Sequence, residues 1–172
     1  GLPQAEPSLK ITYVQPKDFT GLLRYVRNIL VVTIDPTAYT KVSVGYENNV
    51  WARGQVVVSL KAPNTESIVE YSKTHEKALV NFFVKVEMNR AIEQLQKEYS
   101  MVVMDNLKSD LNVMLNAPAN FTYYKDTTDF FWSSNNANTG RMDLIVYTFP
   151  YTDPNTFTEE YLVAKRDSVL KA

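Results

Sequence analysis

The first third of the chain carries the hydrophobic patterns of β-strands. Residues 8–14 (SLKITYV) alternate apolar and polar positions, which is the period of a half-buried strand. Residues 28–34 (NILVVTI) are apolar and rich in β-branched side chains, which predicts a central strand. Residues 40–63 contain two apolar runs separated by the turn-forming letters ENN, so they predict a hairpin or a bulged pair of strands. Between the first two strands, a short helix is predicted to begin at Pro16.

In the middle of the chain, apolar residues recur at the intervals typical of α-helices. Asn64 is a favourable N-cap for a helix that runs from residue 65 to about residue 99. A second helix is predicted over residues 101–115, ending before Pro118 because the position before a proline disfavours the helical conformation. The apolar stripe of the first helix predicts that four of its side chains are buried against the sheet: Leu79, Phe82, Phe83 and Val86.

The last third returns to strands and closes with a helix. Three strands are predicted, at about 121–125, 129–133 and 142–149. The Asn and Gly residues between the last two strands tolerate the backbone angles of turns, which predicts a hairpin over residues 129–149. In the closing helix, Thr156 and Glu159 have the spacing of a capping box, and Phe157 and Tyr161 form an i, i+4 pair.

The order of the predicted elements indicates the fold class. Strand, helix, strand, strand, helix and strand follow one another as in a ferredoxin-like core, here with an extra helix, an appended hairpin and an appended helix. We therefore predict an α+β fold in which helices are layered on one face of a largely antiparallel sheet. We expect residues 1–172 to form a single α+β domain, a fragment of a longer protein, whose last helix exposes an apolar strip at Val169 or Leu170.

Composition narrows the classes of function. Lys and Arg number 18 against 19 Asp and Glu, and like charges form no long block, so no basic surface for nucleic acid or anionic lipid is indicated. The chain has no cysteine, which excludes disulfides and thiolate metal sites within it. No apolar run approaches the roughly 18 residues that cross a bilayer.

The sequence contains no motif of a catalytic or cofactor site. His75, the one histidine, lies on the apolar stripe of the long helix and is interpreted as a partly buried packing residue rather than a base or a metal ligand. Asp126 with Asp129 is interpreted as a turn, and Glu159 with Glu160 as a first helical turn whose charge complements the helix dipole. The sequence therefore predicts no catalytic residue, no metal site and no cofactor.

Aromatic side chains remain as candidate recognition residues. Trp132, Asn135 and Arg141 are the candidate ligand-binding residues, because an indole beside hydrogen-bonding groups is typical of surfaces that hold a sugar or a peptide. Alternation places Phe131 on the opposite face of its strand from Phe130 and Trp132. The same residues also suit an ordinary sheet core, the commoner role of strand aromatics. Further candidates of this kind are Tyr123, Tyr124, Asn136, Trp51 and Arg53.

Six segments spread along the chain carry a family resemblance: LPQAEP, RNILVV, FFVKVEMNRA, DFFWSSNN, IVYTFPYTD and FTEEYLVAKRDSVLKA. Together they make the chain similar to a family of Bacteroidetes lipoproteins that is designated a domain of unknown function, number 4837 in that series. The run over residues 145–172 is the most specific. The resemblance implies a longer precursor with a lipobox cysteine upstream, export, and a lipid anchor in the cell envelope. It assigns no catalytic residue.

Two classes of function follow. The first is a non-enzymatic cell-envelope domain, periplasmic or at the cell surface, that binds a protein, peptide or glycan and reaches the membrane only through a lipid anchor outside this chain. The alternative is a hydrolase that acts on glycan or peptide through carboxylates such as Asp126, Asp129 or Glu160. We favour the first because the sequence lacks an activated nucleophile, a metal-ligand set and a second histidine. The sequence does not indicate an oligomeric state.

Overall fold

The computed structural model describes residues 9–171. The chain folds into two compact units, one ending at Ile92 and the other beginning at Glu93. Each unit contains its own three-stranded sheet. The helices and strands together confirm the predicted α+β class.

The sheet of the first unit is mixed. β1 (Asn28–Ile34) runs parallel to β3 (Val56–Ala62), and β2 (Ser43–Asn48) pairs antiparallel with the other side of β3, which confirms the predicted hairpin. The central strand is therefore β3, and the prediction that residues 28–34 form the central strand is wrong. The reason is that β3 buries side chains on both of its faces, whereas three side chains of β1 remain between 44% and 47% exposed.

The segment before β1 differs from its predicted strand. Residues 9–15 form no regular element, and Ile11 and Tyr13 are 87% and 82% exposed. Alternation alone does not make a strand, because a strand also needs a neighbour that completes its backbone hydrogen bonds. The strand predicted over residues 8–14 is therefore wrong where the structure describes it, and Ser8 lies outside the described residues. Two 3-10 turns replace the predicted short helix: Pro16–Asp18 and Gly21–Tyr25.

The long helix α1 spans Thr65–Lys97, close to its predicted bounds. Asn64 caps the helix as predicted, since its Oδ1 accepts a hydrogen bond from the backbone N–H of Ser67 at 2.9 Å. The four side chains of its apolar stripe that were predicted to be buried are only half-buried: Leu79, Phe82, Phe83 and Val86. A helix of 33 residues is about 50 Å long and a strand of seven residues about 23 Å, so the sheet cannot cover the whole helix.

His75 lies in the first half of α1. Its side chain is exposed, and its ring stacks on the ring of Tyr71 with centroids 4.0 Å apart. The interpretation of His75 as a partly buried packing residue is therefore wrong. Its position one helical turn after Tyr71 accounts for the stacking, because side chains four residues apart are neighbours on a helix surface.

A polar network ties the start of β1 to α1. The Nη1 of Arg90 donates to Oε1 of Glu87 at 2.6 Å and to Oδ1 of Asn28 at 2.7 Å, and its Nη2 donates to the carbonyl of Arg27 at 3.2 Å. The Nδ2 of Asn28 donates to the same Glu87 oxygen. Because the Arg90 side chain is only 19% exposed, water competes weakly for these bonds, and the network fixes the entry of the chain into β1.

The sheet of the second unit is an antiparallel meander of β4 (Tyr123–Thr127), β5 (Phe130–Ser134) and β6 (Asp143–Tyr147). All three strands lie close to their predicted positions, and β5 with β6 confirms the predicted hairpin. Their inner face joins the buried core of this unit, which contains Val103, Leu107, Ala117, Phe121 and Phe131.

The second helix, α2 (Met101–Leu111), supplies part of this core and is shorter than predicted. It begins at Ser100, whose buried hydroxyl donates to the carbonyl of Phe121 at 2.6 Å and accepts from the N–H of Val103 at 3.3 Å. It ends where Asn112 adopts a left-handed conformation with φ of 53°. Asparagine tolerates that conformation better than most residues, so the helix stops there instead of continuing to residue 115.

The N-cap of the last helix, α3 (Glu159–Leu170), lies two residues after the predicted cap. Thr158 is the N-cap, and its Oγ1 accepts from a backbone N–H of the first turn. The capping box predicted at Thr156 and Glu159 is therefore wrong. Thr156 is buried inside a preceding 3-10 turn, where its hydroxyl donates to the carbonyl of Asp153 at 2.6 Å.

The aromatic pair predicted for α3 is also wrong. Phe157 precedes the helix, is 74% exposed and packs on Tyr151 at 5.3 Å between ring centroids. Tyr161 packs instead on Phe149 at 6.2 Å. Leu170 is 56% exposed, which confirms the predicted apolar strip on this helix.

In the part of the chain that it describes, the structure has two small sheets, whereas one larger, mostly antiparallel sheet was predicted. Residues 9–171 contain one mixed and one antiparallel sheet of three strands each, so the structure does not confirm a ferredoxin-like core or one layer of helices on one sheet. The organisation of the whole chain as a single domain stays a prediction.

Candidate binding site

The two faces of the second sheet have different surroundings. Phe131 of β5 is 1% exposed and packs in the core, and alternation turns Phe130 and Trp132 to the opposite side, as predicted. Across the ladder these two residues pair with Tyr147 and Ile145 of β6. The four side chains Phe130, Trp132, Ile145 and Tyr147 are half-buried, and we call their surface the outer face.

The indole of Trp132 is held by two polar partners. Its Nε1 donates to Oδ1 of Asp143 at 2.9 Å. The guanidinium of Arg141 lies over the indole, 5.9 Å from the ring centroid, and donates to both oxygens of the same carboxylate at 3.0–3.2 Å. Trp132 and Arg141, predicted as site residues, are thus brought together, and Asp143 joins them.

The charge of this cluster is balanced internally. The hydrogen bonds from Arg141, with a smaller contribution from Trp132, hold the pKa of Asp143 below its ordinary value. Asp143 is therefore ionised at neutral pH and neutralises Arg141. The cluster offers a flat aromatic surface with oriented polar atoms rather than a receptor for an anion.

Asn135, the third predicted site residue, organises the loop of the hairpin. Its Oδ1 accepts from the backbone N–H of Met142 at 3.0 Å and of Ala137 at 3.3 Å, and its Nδ2 donates to the carbonyl of Gly140 at 3.4 Å. The amide group is used in closing the loop, so Asn135 supports the site through the loop's shape.

The other aromatic candidates occupy separate places. In the first unit, Trp51 packs edge-to-face on Phe19 with ring centroids 5.5 Å apart, and Arg53 is exposed. In the second unit, Tyr123 and Tyr124 of β4 are 56% and 51% exposed. Asn136 lies in the hairpin loop, and its positive φ of 46° is a conformation of turns.

Asp126 and Asp129 flank the turn between β4 and β5, as the sequence predicted, and each has a different partner. Asp126 hydrogen-bonds with Asp110 of α2, whereas Asp129 accepts from the hydroxyl of Thr148 at 3.1 Å. The hydrogen bond with Asp110 raises the pKa of Asp126. Hydrogen bonds from Ser109 first, and then from Asp126, lower the pKa of Asp110. One carboxyl therefore keeps its proton longer than the other, as expected of two acids that share a hydrogen bond.

Residues 9–171 contain neither a metal-binding cluster nor a helix suited to crossing a bilayer. That part of the chain contains no cluster of three or more side chains able to hold a metal ion. None of its helices combines the length and the apolar character that crossing a bilayer requires.

Replacing Asp126 by asparagine is expected to stabilise the protein at neutral pH. Because the folded-state pKa of Asp126 is raised, its favourable contribution is present below the ordinary value of 3.8 and is lost as the pH rises through the folded-state pKa. Asp126→Asn keeps a donor for Asp110 at every pH. We therefore expect a higher midpoint of urea unfolding at neutral pH and a difference that shrinks as the pH falls below 3.8.

The matched control is Asp105→Asn, at an exposed aspartate of α2, the helix that carries Asp110. It changes the formal charge by the same amount without touching the pair, so its effect should stay within about 0.5 kcal/mol. An Asp126→Asn variant that is less stable than the wild type at neutral pH would contradict the shared hydrogen bond.

Asp143, beside Trp132, and Asp110, beside Asp126, were not predicted from the sequence. Asp143 stands two positions after Arg141, a spacing that places both side chains on one face of a strand and is a signal that can be read from the sequence. Asp110 is sixteen positions from Asp126 in the chain, and nothing in the local pattern connects them.

The fold and this site define an α+β protein with an aromatic surface patch. The chain belongs to the family described as Domain of unknown function (DUF8532), whose model matches residues 1–96. The model described as Domain of unknown function (DUF4837) matches residues 100–172. No curated protein and no solved structure matches the chain.

Proposed function

We propose that this protein is a non-enzymatic cell-envelope domain whose outer face binds a protein, peptide or glycan. The observation that carries the proposal is the half-buried indole of Trp132, fixed beside Arg141 and Asp143 on the side of the sheet that faces away from the core. Trp, Tyr and Arg are the residue types that contribute most to binding energy at recognition surfaces.

The geometry favours binding because the cluster is already ordered. Hydrogen bonds to Asp143 hold both the indole and the guanidinium, so a ligand need not immobilise either side chain. The aromatic surface also extends beyond Tyr147, whose ring lies 6.1 Å from that of Phe149. An elongated apolar strip with polar groups at one end suits an extended peptide or a sugar chain.

The proposed location is the cell envelope, periplasmic or at the surface, with a lipid anchor outside this chain. Its support is the resemblance to Bacteroidetes lipoproteins described above, and the model that matches residues 100–172 carries the same family number. The proposed partners are accordingly an envelope protein or a glycan, with no role for nucleic acid.

A carboxylate-dependent hydrolase is the second candidate, and the pair Asp110–Asp126 is the observation behind it. A glycosidase holds its two carboxyl groups about 5 to 10 Å apart so that the scissile bond and water fit between them. Asp110 and Asp126 hydrogen-bond to each other, which leaves no such space. Binding is therefore the better supported function.

Binding is best measured through Trp132 itself. The chain has two tryptophans, so a Trp51→Phe variant leaves Trp132 as the single reporter of indole fluorescence. We expect oligosaccharides or extended peptides from an envelope-derived panel to shift its emission saturably. In binding assays on the otherwise wild-type chain, Trp132→Ala should weaken the same ligand at least about tenfold, whereas Trp51→Phe should not.

The fold of each variant is checked by circular dichroism and thermal melting. A Trp132→Ala variant that unfolds would assign the indole to the core and overturn the proposal. A folded Trp132→Ala variant that binds the ligand as tightly as the wild type would place the binding site elsewhere.

A further inference from the structure

The free edge of the first sheet lacks the features that keep edge strands apart. Within residues 9–171, β1 pairs only with β3, and at seven residues it is the longest of the four edge strands. It contains no charged residue, proline or glycine. Each of the other edge strands carries a charge: Glu47 in β2, Lys125 and Asp126 in β4, and Asp143 in β6. Charges at an edge normally prevent pairing with another chain.

The backbone of β1 shows which groups face the open edge. The carbonyl of Arg27 accepts from the N–H of Val56 at 2.9 Å, and the N–H of Asp35 donates to the carbonyl of Ala62 at 3.0 Å. In a parallel ladder, alternate residues direct their backbone groups to the same neighbour. Odd-numbered residues of β1 therefore face β3. The N–H and C=O groups of four residues point outward: Asn28, Leu30, Val32 and Ile34.

We propose that β1 is an interface for a second copy of this chain, with the two β1 strands pairing antiparallel about a two-fold axis at Val31. In this register, each outward-facing residue meets another outward-facing residue, as hydrogen bonding requires: Leu30 faces Val32, and Asn28 faces Ile34. The pairing also joins the side chains of Leu30, Val32 and Ile34, which are 44%, 47% and 46% exposed, to their equivalents in the other copy. Two short apolar strips thus become one continuous strip.

Charge complementarity selects a second copy rather than an unrelated strand. The same register places Arg27 of one copy opposite Asp35 of the other, at both ends of the paired strands. The Arg27 side chain is 72% exposed, and its Nη1 forms a long ion pair with Oε2 of Glu87 at 3.7 Å, which leaves Nε and Nη2 for the carboxylate of Asp35. The carboxylate of Asp35 accepts three hydrogen bonds from Thr37 and Ala38, all at Oδ1, which hold it in place and leave Oδ2 for the guanidinium. Because opposite charges face each other twice, the antiparallel register is fixed.

The test is the dissociation constant of the dimer, measured by sedimentation equilibrium over a concentration series. Val32 and Val44 form a matched pair, because both flank Leu60 on the same row of the sheet, at opposite edges, and are 47% and 43% exposed. We expect Val32→Lys to raise the dissociation constant at least about tenfold and Val44→Lys to leave it nearly unchanged.

A second variant tests the charge pair. Arg27→Gln should weaken the dimer severalfold at low ionic strength, and the difference should disappear in high salt, because exposed ion pairs are screened. A wild-type protein that stays monomeric up to about 1 mM would overturn the proposal and leave the edge to an extended segment of another protein. A dimer that Val32→Lys and Val44→Lys weaken equally would also overturn it. Melting curves of each variant are the control that it remains folded.

Discussion

Phe131→Ala is expected to destabilise the protein by about 3–5 kcal/mol. Phe131 is 1% exposed and packs in the core of the second unit with side chains from α2 and from the segment before β4. Its removal leaves a cavity that a short sheet and one helix cannot close by a small shift, because the surrounding atoms are close-packed. Urea unfolding followed by circular dichroism measures the loss.

Phe130→Ala is the matched control for this prediction. It removes the same side chain one position earlier, from the half-buried outer face, so we expect a smaller loss of about 1–2 kcal/mol. Equal losses in the two variants would contradict the assignment of Phe131 to the core and Phe130 to the outer face.

Gln55→Glu is expected to lower the free energy of unfolding by about 3–5 kcal/mol at neutral pH, although it replaces only an amide group by a carboxyl group. Gln55 is 1% exposed and connects three backbone groups of the first unit. Its Nε2 donates to the carbonyls of Arg24 at 2.6 Å and Val26 at 2.7 Å, and its Oε1 accepts from the N–H of Trp51 at 3.0 Å. A carboxylate at this position would keep only the last bond and face two carbonyl oxygens while buried.

The pH dependence identifies the cause. Burial beside two carbonyls should raise the pKa of the introduced carboxyl, because both disfavour its ionised form. The cost of Gln55→Glu is then fully present above that raised pKa and shrinks as the pH falls through it, when the protonated acid can donate again. Gln94→Glu, at an exposed position of α1, should change stability by less than about 0.5 kcal/mol at any pH. A loss for Gln55→Glu that does not depend on pH would contradict this account.

Local patterns predicted most elements of this protein. The Asn64 cap, the course of α1 and the β5–β6 hairpin follow from side-chain chemistry and periodicity within short stretches. The same alternation predicted that Phe131 and Trp132 lie on opposite faces of their strand, and hence that an aromatic group would lie away from the core. Trp132 and Arg141 were also predicted as neighbours, since both belong to one hairpin.

Only the tertiary structure decided which elements become neighbours. The sequence of residues 28–34 is that of a central strand, yet β3 takes the centre and leaves β1 at the edge. His75 is exposed on α1, and Asp126 meets Asp110 rather than Asp129 because α2 contacts β4. These outcomes depend on contacts between residues far apart in the chain. The periodicity of a segment indicates which of its faces is apolar. That face is buried only if another segment is long enough to cover it and lies against it.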